Sequence, residues 1–196
     1  MPKVTLEYKE LVRTRILESA HRVFSQKGYR EATMDEIAEG LGLSKPALYR
    51  YYKSKEELFR EILESYIQAT AKALRESFKN SRFDPETFFH LVDKWRWTPN
   101  LFFSAASEAP RNSKLRKIFS DGYETAVDMV GSFIEELKSR GILKDGANSR
   151  LIAMGAIAIH DGLLIGEVAG LSRQETINAF VDTIQAIFSG LLVGTS

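Results

Sequence analysis

The stretch Thr33-Met34-Asp35-Glu36-Ile37-Ala38-Glu39-Gly40-Leu41-Gly42-Leu43-Ser44-Lys45-Pro46-Ala47-Leu48-Tyr49 decides the fold. Its first four residues have the S/T-x-x-E spacing of a capping box, in which a hydroxyl and a carboxylate satisfy amides that the start of a helix leaves open. Ile37, Ala38 and Leu41 then form the apolar face of a short helix. Gly42 can take the positive φ of a sharp turn. Ser44 is a good N-cap, and Pro46 near the start of the next helix loses nothing by lacking an N–H. Ala38 is small where the two helices must approach, and Ile37, Leu43 and Leu48 can bridge them. Lys45, Ala47, Tyr49, Arg50 and Tyr51 are left facing outward.

Two short helices joined by a glycine turn form a helix-turn-helix, whose second helix can present its exposed side chains to base edges and phosphates. Any tight helical hairpin shares that skeleton, so the chemistry of the outer face decides between the two. Two tyrosines, an arginine and a lysine within seven residues, followed by Lys53 and Lys55, are poor choices for an ordinary solvated face. Lys55 also follows an N-cap, Ser54, where amides and the helix dipole favour an anion such as phosphate. Thr33 stands in the same position at the start of the first short helix.

Outward from this segment, nearly every stretch has helical period. A helix is predicted from Glu7 to Lys27 with Gly28 as its stop. A second capping box, Ser54-Lys55-Glu56-Glu57, opens a helix to about Lys79. Asp84-Pro85 caps another, and Pro99 and Pro110 bracket a short one. Further helices are predicted over about 113–139, 148–168 and 172–191, the last opened by the box Ser172-Arg173-Gln174-Glu175. The chain thus reads as all-α, about nine helices with short connections. Residues 1–60 carry 12 Lys and Arg against 9 Asp and Glu, and the remainder carries 15 against 17. A basic front on a mildly acidic body suits contact with a polyanion.

The absence of cysteine excludes disulfides, thiolate metal ligands and a cysteine nucleophile. No nucleophile elbow, P-loop, dinucleotide fingerprint or metal-ligand spacing is present, so neither an enzyme nor a cofactor or metal is expected. The N-terminus lacks an apolar signal core, and no apolar run was expected to reach the ~18 residues of a membrane span. A cytoplasmic protein with no membrane partner is the expectation.

The run from Ala32 to Ala38, with Gly42-Leu43-Ser44-Lys45-Pro46-Ala47-Leu48-Tyr49 and Tyr52-Lys53-Ser54-Lys55-Glu56-Glu57-Leu58, resembles the N-terminal domain of the TetR family of regulators. Ile16-Leu17, Ala20, Phe24 and Gly28-Tyr29 match that family's first helix. The resemblance implies a three-helix DNA-binding head over residues 1–53 and a helical body over 54–196 that binds an effector and dimerises. It implies a homodimeric repressor released from a palindromic double-stranded operator by a small molecule. By position, Thr33, Tyr49, Tyr51 and Lys55 would hold phosphates, with Ser44 and Pro46 beside them. Lys45, Ala47 and Arg50 would face bases. Tyr51 stands where relatives often carry histidine, and Arg50 where an apolar or aromatic residue is usual. One head with so few base readers discriminates weakly, because a good bidentate pair gives ~1–3 kcal/mol. Two heads on a two-fold axis about one helical turn apart overcome that.

In the body, the dimer interface is expected on the last two helices. Met154, Ala158, Gly162 and Ile165 would supply one face, and Phe180, Val181, Ile184 and Phe188 the other. An effector pocket is expected among the aromatic residues of the middle: Phe88, Trp95, Phe102, Phe103, Phe119 and Tyr123, with His160 as a polar anchor. Such a lining suits an apolar or amphipathic molecule. Each of these aromatics alone would pass for core packing.

Overall fold

A computed structural model of the chain describes residues 6–79, 82–92 and 98–189. Over these residues the chain forms nine helices: α1 (Leu6–Glu31), α2 (Met34–Glu39), α3 (Lys45–Tyr49), α4 (Lys55–Ser77), α5 (Pro85–Val92), α6 (Pro99–Glu108), α7 (Ser113–Ser139), α8 (Ser149–Val168) and α9 (Arg173–Ser189). Between α4 and α5 the chain doubles back through two-residue strands, β1 (Phe78–Lys79) and β2 (Arg82–Phe83), which pair antiparallel with Phe78 opposite Phe83. This short ladder was not expected, and it ends α4 two residues early, at Ser77. Trp95 lies outside the described residues, and of Phe188 only the helical backbone is described.

The chain divides into two compact units, and the division does not fall at residue 53. The first unit holds residues 1–65 and 100–120, the second 66–99 and 121–196. In the first, Ile16, Ala20 and Phe24 of α1, Ile37 of α2, Leu48 of α3 and Leu58 and Phe59 of α4 are fully buried. Phe24, Tyr29, Phe59 and Phe119 form a chain of ring contacts with centroids 5.4 Å apart at each step.

The predicted stop at Gly28 is a break inside α1. Gly28 takes φ 82° and ψ 159°, a region almost closed to other residues, and one more turn follows it. A Cβ here would lie 3.0 Å from Ser104 Cβ and Oγ and 3.1 Å from Asn100 Oδ1. Glycine is therefore needed for the backbone angle and for the close approach together.

In the second unit, Val127, Phe133, Ile134 and Leu137 of α7 pack with Ile142, Leu143 and Ala153 into one core cluster. A smaller cluster centres on Ala73 and Phe88. Over Ser149–Val168, α8 is long and apolar enough to cross a membrane by length and composition, contrary to the expectation, yet only 11% of its apolar window is buried in the protomer. Its outer face needs a cover.

Candidate nucleic-acid interface

The helix-turn-helix forms for the reasons its residues suggest. Thr33 Oγ1 accepts from the Glu36 amide at 3.2 Å, and the Glu36 carboxylate accepts from the Thr33 amide at 3.1 Å, closing the capping box. Gly42 takes φ 66°, and the Leu43 amide reaches back to the Ala38 carbonyl at 3.0 Å. Ser44 caps α3 by accepting from the Ala47 amide at 3.4 Å. Ile37, Ala38 and Leu48 are buried between the helices. Ser19 of α1, also buried, donates to the Ile37 carbonyl at 3.2 Å and fixes α2 from behind.

This scaffold turns Lys45, Pro46 and Arg50 fully outward and leaves Ala47, Tyr49 and Tyr51 half exposed. Lys45 Nζ reaches Asp35 at 2.9 Å, an exposed pair that holds the side chain over α2 and is readily exchanged for another anion. Among the described residues the Arg50 guanidinium has no ion-pair partner. The hydroxyls of Thr33 and Ser44 accept from backbone amides, so each keeps its own proton for an outside acceptor. Lys53 Nζ folds back onto the Tyr49 carbonyl at 2.6 Å. Tyr52, which follows this face, points inward: it is 1% exposed and donates to Glu61 at 2.6 Å. Arg13 pairs with the other oxygen of Glu61 and lies over the Tyr52 ring.

Lys55 departs from its expected role. Its ammonium donates to the carbonyls of Tyr29, Arg30 and Ala32 at 2.9, 3.0 and 2.8 Å. All three protons are thereby committed to the end of α1. Burial pushes this ammonium's pKa down, against the raising effect of Glu56, Glu108, Glu31 and Glu36. The capping box at Ser54 is also shifted, because the Glu57 carboxylate accepts from the Lys53 amide and not from that of Ser54.

The first unit has a component that sequence reasoning placed elsewhere. The proline-bracketed α6, expected within the body, clasps the end of α1. Asn100 Nδ2 donates to the carbonyls of Ser25 and Gln26, and Ser104 Oγ accepts from the Tyr29 amide at 2.6 Å. Asn112 donates to Glu56 at 2.8 Å. The signal was available in Gly28, whose bare Cα implies that another backbone or side chain comes close.

The expected pocket residues separate accordingly. Phe102, Phe103 and Phe119 belong to the first unit, where Phe102 contacts both of the others. Tyr123 is exposed. His160 lines a partly open cavity of the second unit with Tyr66, Phe89, Leu163, Leu164, Glu167, Arg173, Thr176, Ile177 and Phe180, and Phe88 stacks on Phe180 behind it.

On α8, Leu151, Ala158, Gly162, Ile165 and Val168 are exposed, with Leu151, Ile165 and Val168 at 64%, 59% and 65%. Ile184 is half exposed on α9. Three residues expected on that outer face turn inward: Met154 packs on the core of the second unit, Phe180 lines the cavity, and Val181 is buried.

Comparison with known proteins agrees with this geometry. The family model for bacterial regulatory proteins of the tetR family matches residues 16–62, the span from mid-α1 into α4 that carries the helix-turn-helix. Over this span the chain is similar to the TetR family of regulators. It is a helix-turn-helix, DNA-binding transcriptional regulator. One relative of this chain is the transcriptional activator FasR of Mycolicibacterium smegmatis, 27% identical, covering 75% of this chain and 68% of the relative. Another is the transcriptional repressor Rv1474c of Mycobacterium tuberculosis, 24% identical over 94% and 97%. Among solved structures, a TetR-family regulator from Syntrophomonas wolfei superposes with a TM-score of 0.72 at 18% identity, covering 95% of this chain and 99% of that one. That likeness extends the shared all-α fold beyond the matched head.

Proposed function

We propose that this regulator is a cytoplasmic homodimeric repressor that binds a palindromic operator and is released from it by a small apolar or amphipathic effector. The observation that carries the DNA-binding half is the outward set Lys45, Tyr49 and Arg50, held on a capped, fully buried scaffold with polar protons on Thr33 and Ser44 beside it. Phosphate contacts position such a head, and Lys45, Ala47 and Arg50 read bases. Lys55 supports the site by bracing the end of α1, and the first amides of α4 supply the phosphate contact expected of its position.

Dimerisation rests on the exposed face of α8. Three large apolar side chains and the small residues Ala158 and Gly162 on one 20-residue helix make a surface that water disfavours and a second helix can fit. The polar pair His160–Asp161 in the middle of α8 argues for a protein cover and against lipid. Effector control rests on the cavity lined by His160. Tyr66 of that cavity lies on α4, the same helix that starts at Lys55. An effector shifts operator affinity only by the difference in its own affinity for the DNA-bound and free arrangements.

The test is fluorescence anisotropy with DNA from upstream of the chain's own gene. Saturable binding that Tyr49→Ala with Arg50→Ala abolishes, in a variant that still folds, supports the reading. Failure of the wild-type protein to bind any DNA at low salt overturns it.

A further inference from the structure

Lys45 stands at the first residue of α3, the end at which a helix favours anions, so its placement runs against the helix dipole. Its ammonium reaches back to the start of α2 and sits between the two carboxylate oxygens of Asp35, 2.9 Å from Oδ1 and 3.0 Å from Oδ2. Both side chains are more than half exposed. Asp35 takes no part in the capping box of α2, which Thr33 and Glu36 close between them. Lys53 makes a contrast on the same face. Its ammonium bonds a neutral carbonyl, that of Tyr49, and keeps its charge for a polyanion. The carboxylate of Asp35 cancels that of Lys45.

Magnitudes separate the two contacts that Lys45 could make with a duplex. An exposed pair of this kind is worth about fivefold at most. A phosphate contact releases about one counterion, which near ~0.15 M salt is also worth only a few-fold. Moving the ammonium from Asp35 to a phosphate therefore gains next to nothing, and it leaves a bare carboxylate in front of the polyanion. A base edge with two acceptors, such as guanine O6 and N7, is worth ~5- to 150-fold. There the same exchange is favourable.

We infer that Asp35 sets the sequence discrimination of the head: it holds the Lys45 ammonium back from phosphates and gives it up to a base edge that offers two acceptors. The inference deepens the reading of Lys45 as a base reader and rests on it. Asp35 is then a positioning residue, acting through Lys45. An acid that merely complements the dipole at the start of α2 would affect stability alone, and its effect would not depend on Lys45.

The test is fluorescence anisotropy of the full-length protein on a labelled random-sequence duplex about three helical turns long, over ~50 to 200 mM salt. Asp35→Asn is expected to tighten this sequence-blind binding about threefold or more and to steepen its salt slope by about one. Lys45→Met is expected to keep the wild-type slope, and adding Asp35→Asn to Lys45→Met is expected to keep it too. On the motif that a random pool enriches, Lys45→Met is expected to relax one base position. Asp35→Asn is expected to narrow the gap between motif and random duplex. Both residues are exposed and Glu36 closes the capping box, so all three variants are expected to melt as the wild type does; Asp35→Ala reads the same slope if Asp35→Asn melts early. A slope that Asp35→Asn steepens equally with and without Lys45 reduces Asp35 to a general charge and overturns the inference. An unchanged slope, or sequence-blind binding weakened by Asp35→Asn, overturns it as well. A wild-type protein that binds no DNA at low salt fails at the earlier step and overturns the DNA-binding reading together with this one.

Discussion

Lys55 Nζ donates to the carbonyl of Tyr29 at 2.9 Å and lies 4.9 Å from the centre of the same residue's ring. With its bonds to Arg30 and Ala32, this one ammonium satisfies three carbonyls where α1 ends. Lys55→Met keeps most of the stem and removes the donors, and the carbonyls lose their partner. A stability loss of about 1–3 kcal/mol is expected, read as a lower denaturant midpoint. A residue serving phosphate alone would leave the midpoint in place and lower the salt slope of DNA binding by about one.

Gly28 meets Asn100 and Ser104 at a backbone angle that other residues avoid. Gly28→Ala adds strain and a clash at once, so a loss of more than about 2 kcal/mol is expected. Thermal denaturation checks this. Gly42→Ala, at φ 66° but with open space around its Cα, has the angle cost without the clash and is expected to lose less.

Asn112 makes two bonds, donating to Glu56 at 2.8 Å and accepting from the Leu115 amide at 3.0 Å at the start of α7. Burial pushes the Glu56 carboxyl up, but the bonds it accepts, that from Asn112 foremost, bring it below its usual 4.5. A carboxyl depressed in the folded state contributes stability that is fully present above its unfolded value and is lost as pH falls through the folded one. Asn112→Ala is therefore expected to cost more at pH 7 than below about pH 4, with the lost cap at Leu115 as a constant remainder. Denaturation at both pH values measures the difference. An equal loss at both would show that Glu56 gains nothing from Asn112.

Much of the head was legible because its signals are local. Thr33 and Glu36 sit three residues apart, Gly42 turns the chain between them and Ser44, and period alone separates Leu48 from Lys45 and Tyr49. What escaped depends on contacts between residues far apart in the chain. Nothing near Lys55 says that its ammonium turns to carbonyls 23 to 26 residues earlier. Nothing near Asn100 says that it holds Ser25 and Gln26. The aromatic content of the middle was visible, but composition could not sort Phe102 and Phe119 into one unit and Phe88 and His160 into the other. On α9, strong apolar period marked both faces alike, so Val181 could not be told from Ile184 until its burial was seen.

The face of α8 bearing Ile165 leads to a direct expectation for assembly. Ile165→Glu places a charge on that face near the end of α8 at little cost to the protomer, where the residue is already exposed. The wild-type protein is expected to sediment as a dimer at micromolar concentration and the variant as a folded monomer, with specific DNA binding weakened about 100-fold or more. Val181→Glu, buried in the protomer, is expected to unfold it.

The most direct measurement is selection of bound sequences from a random double-stranded DNA pool at near-physiological salt by the purified full-length protein. Enrichment of a two-fold symmetric motif, its half-sites about one helical turn or somewhat more apart, is the expected result, lost with Tyr49→Ala and Arg50→Ala. Recovery of no motif, or of one that both substitutions leave intact, would contradict a sequence-reading head built on Thr33 to Tyr51.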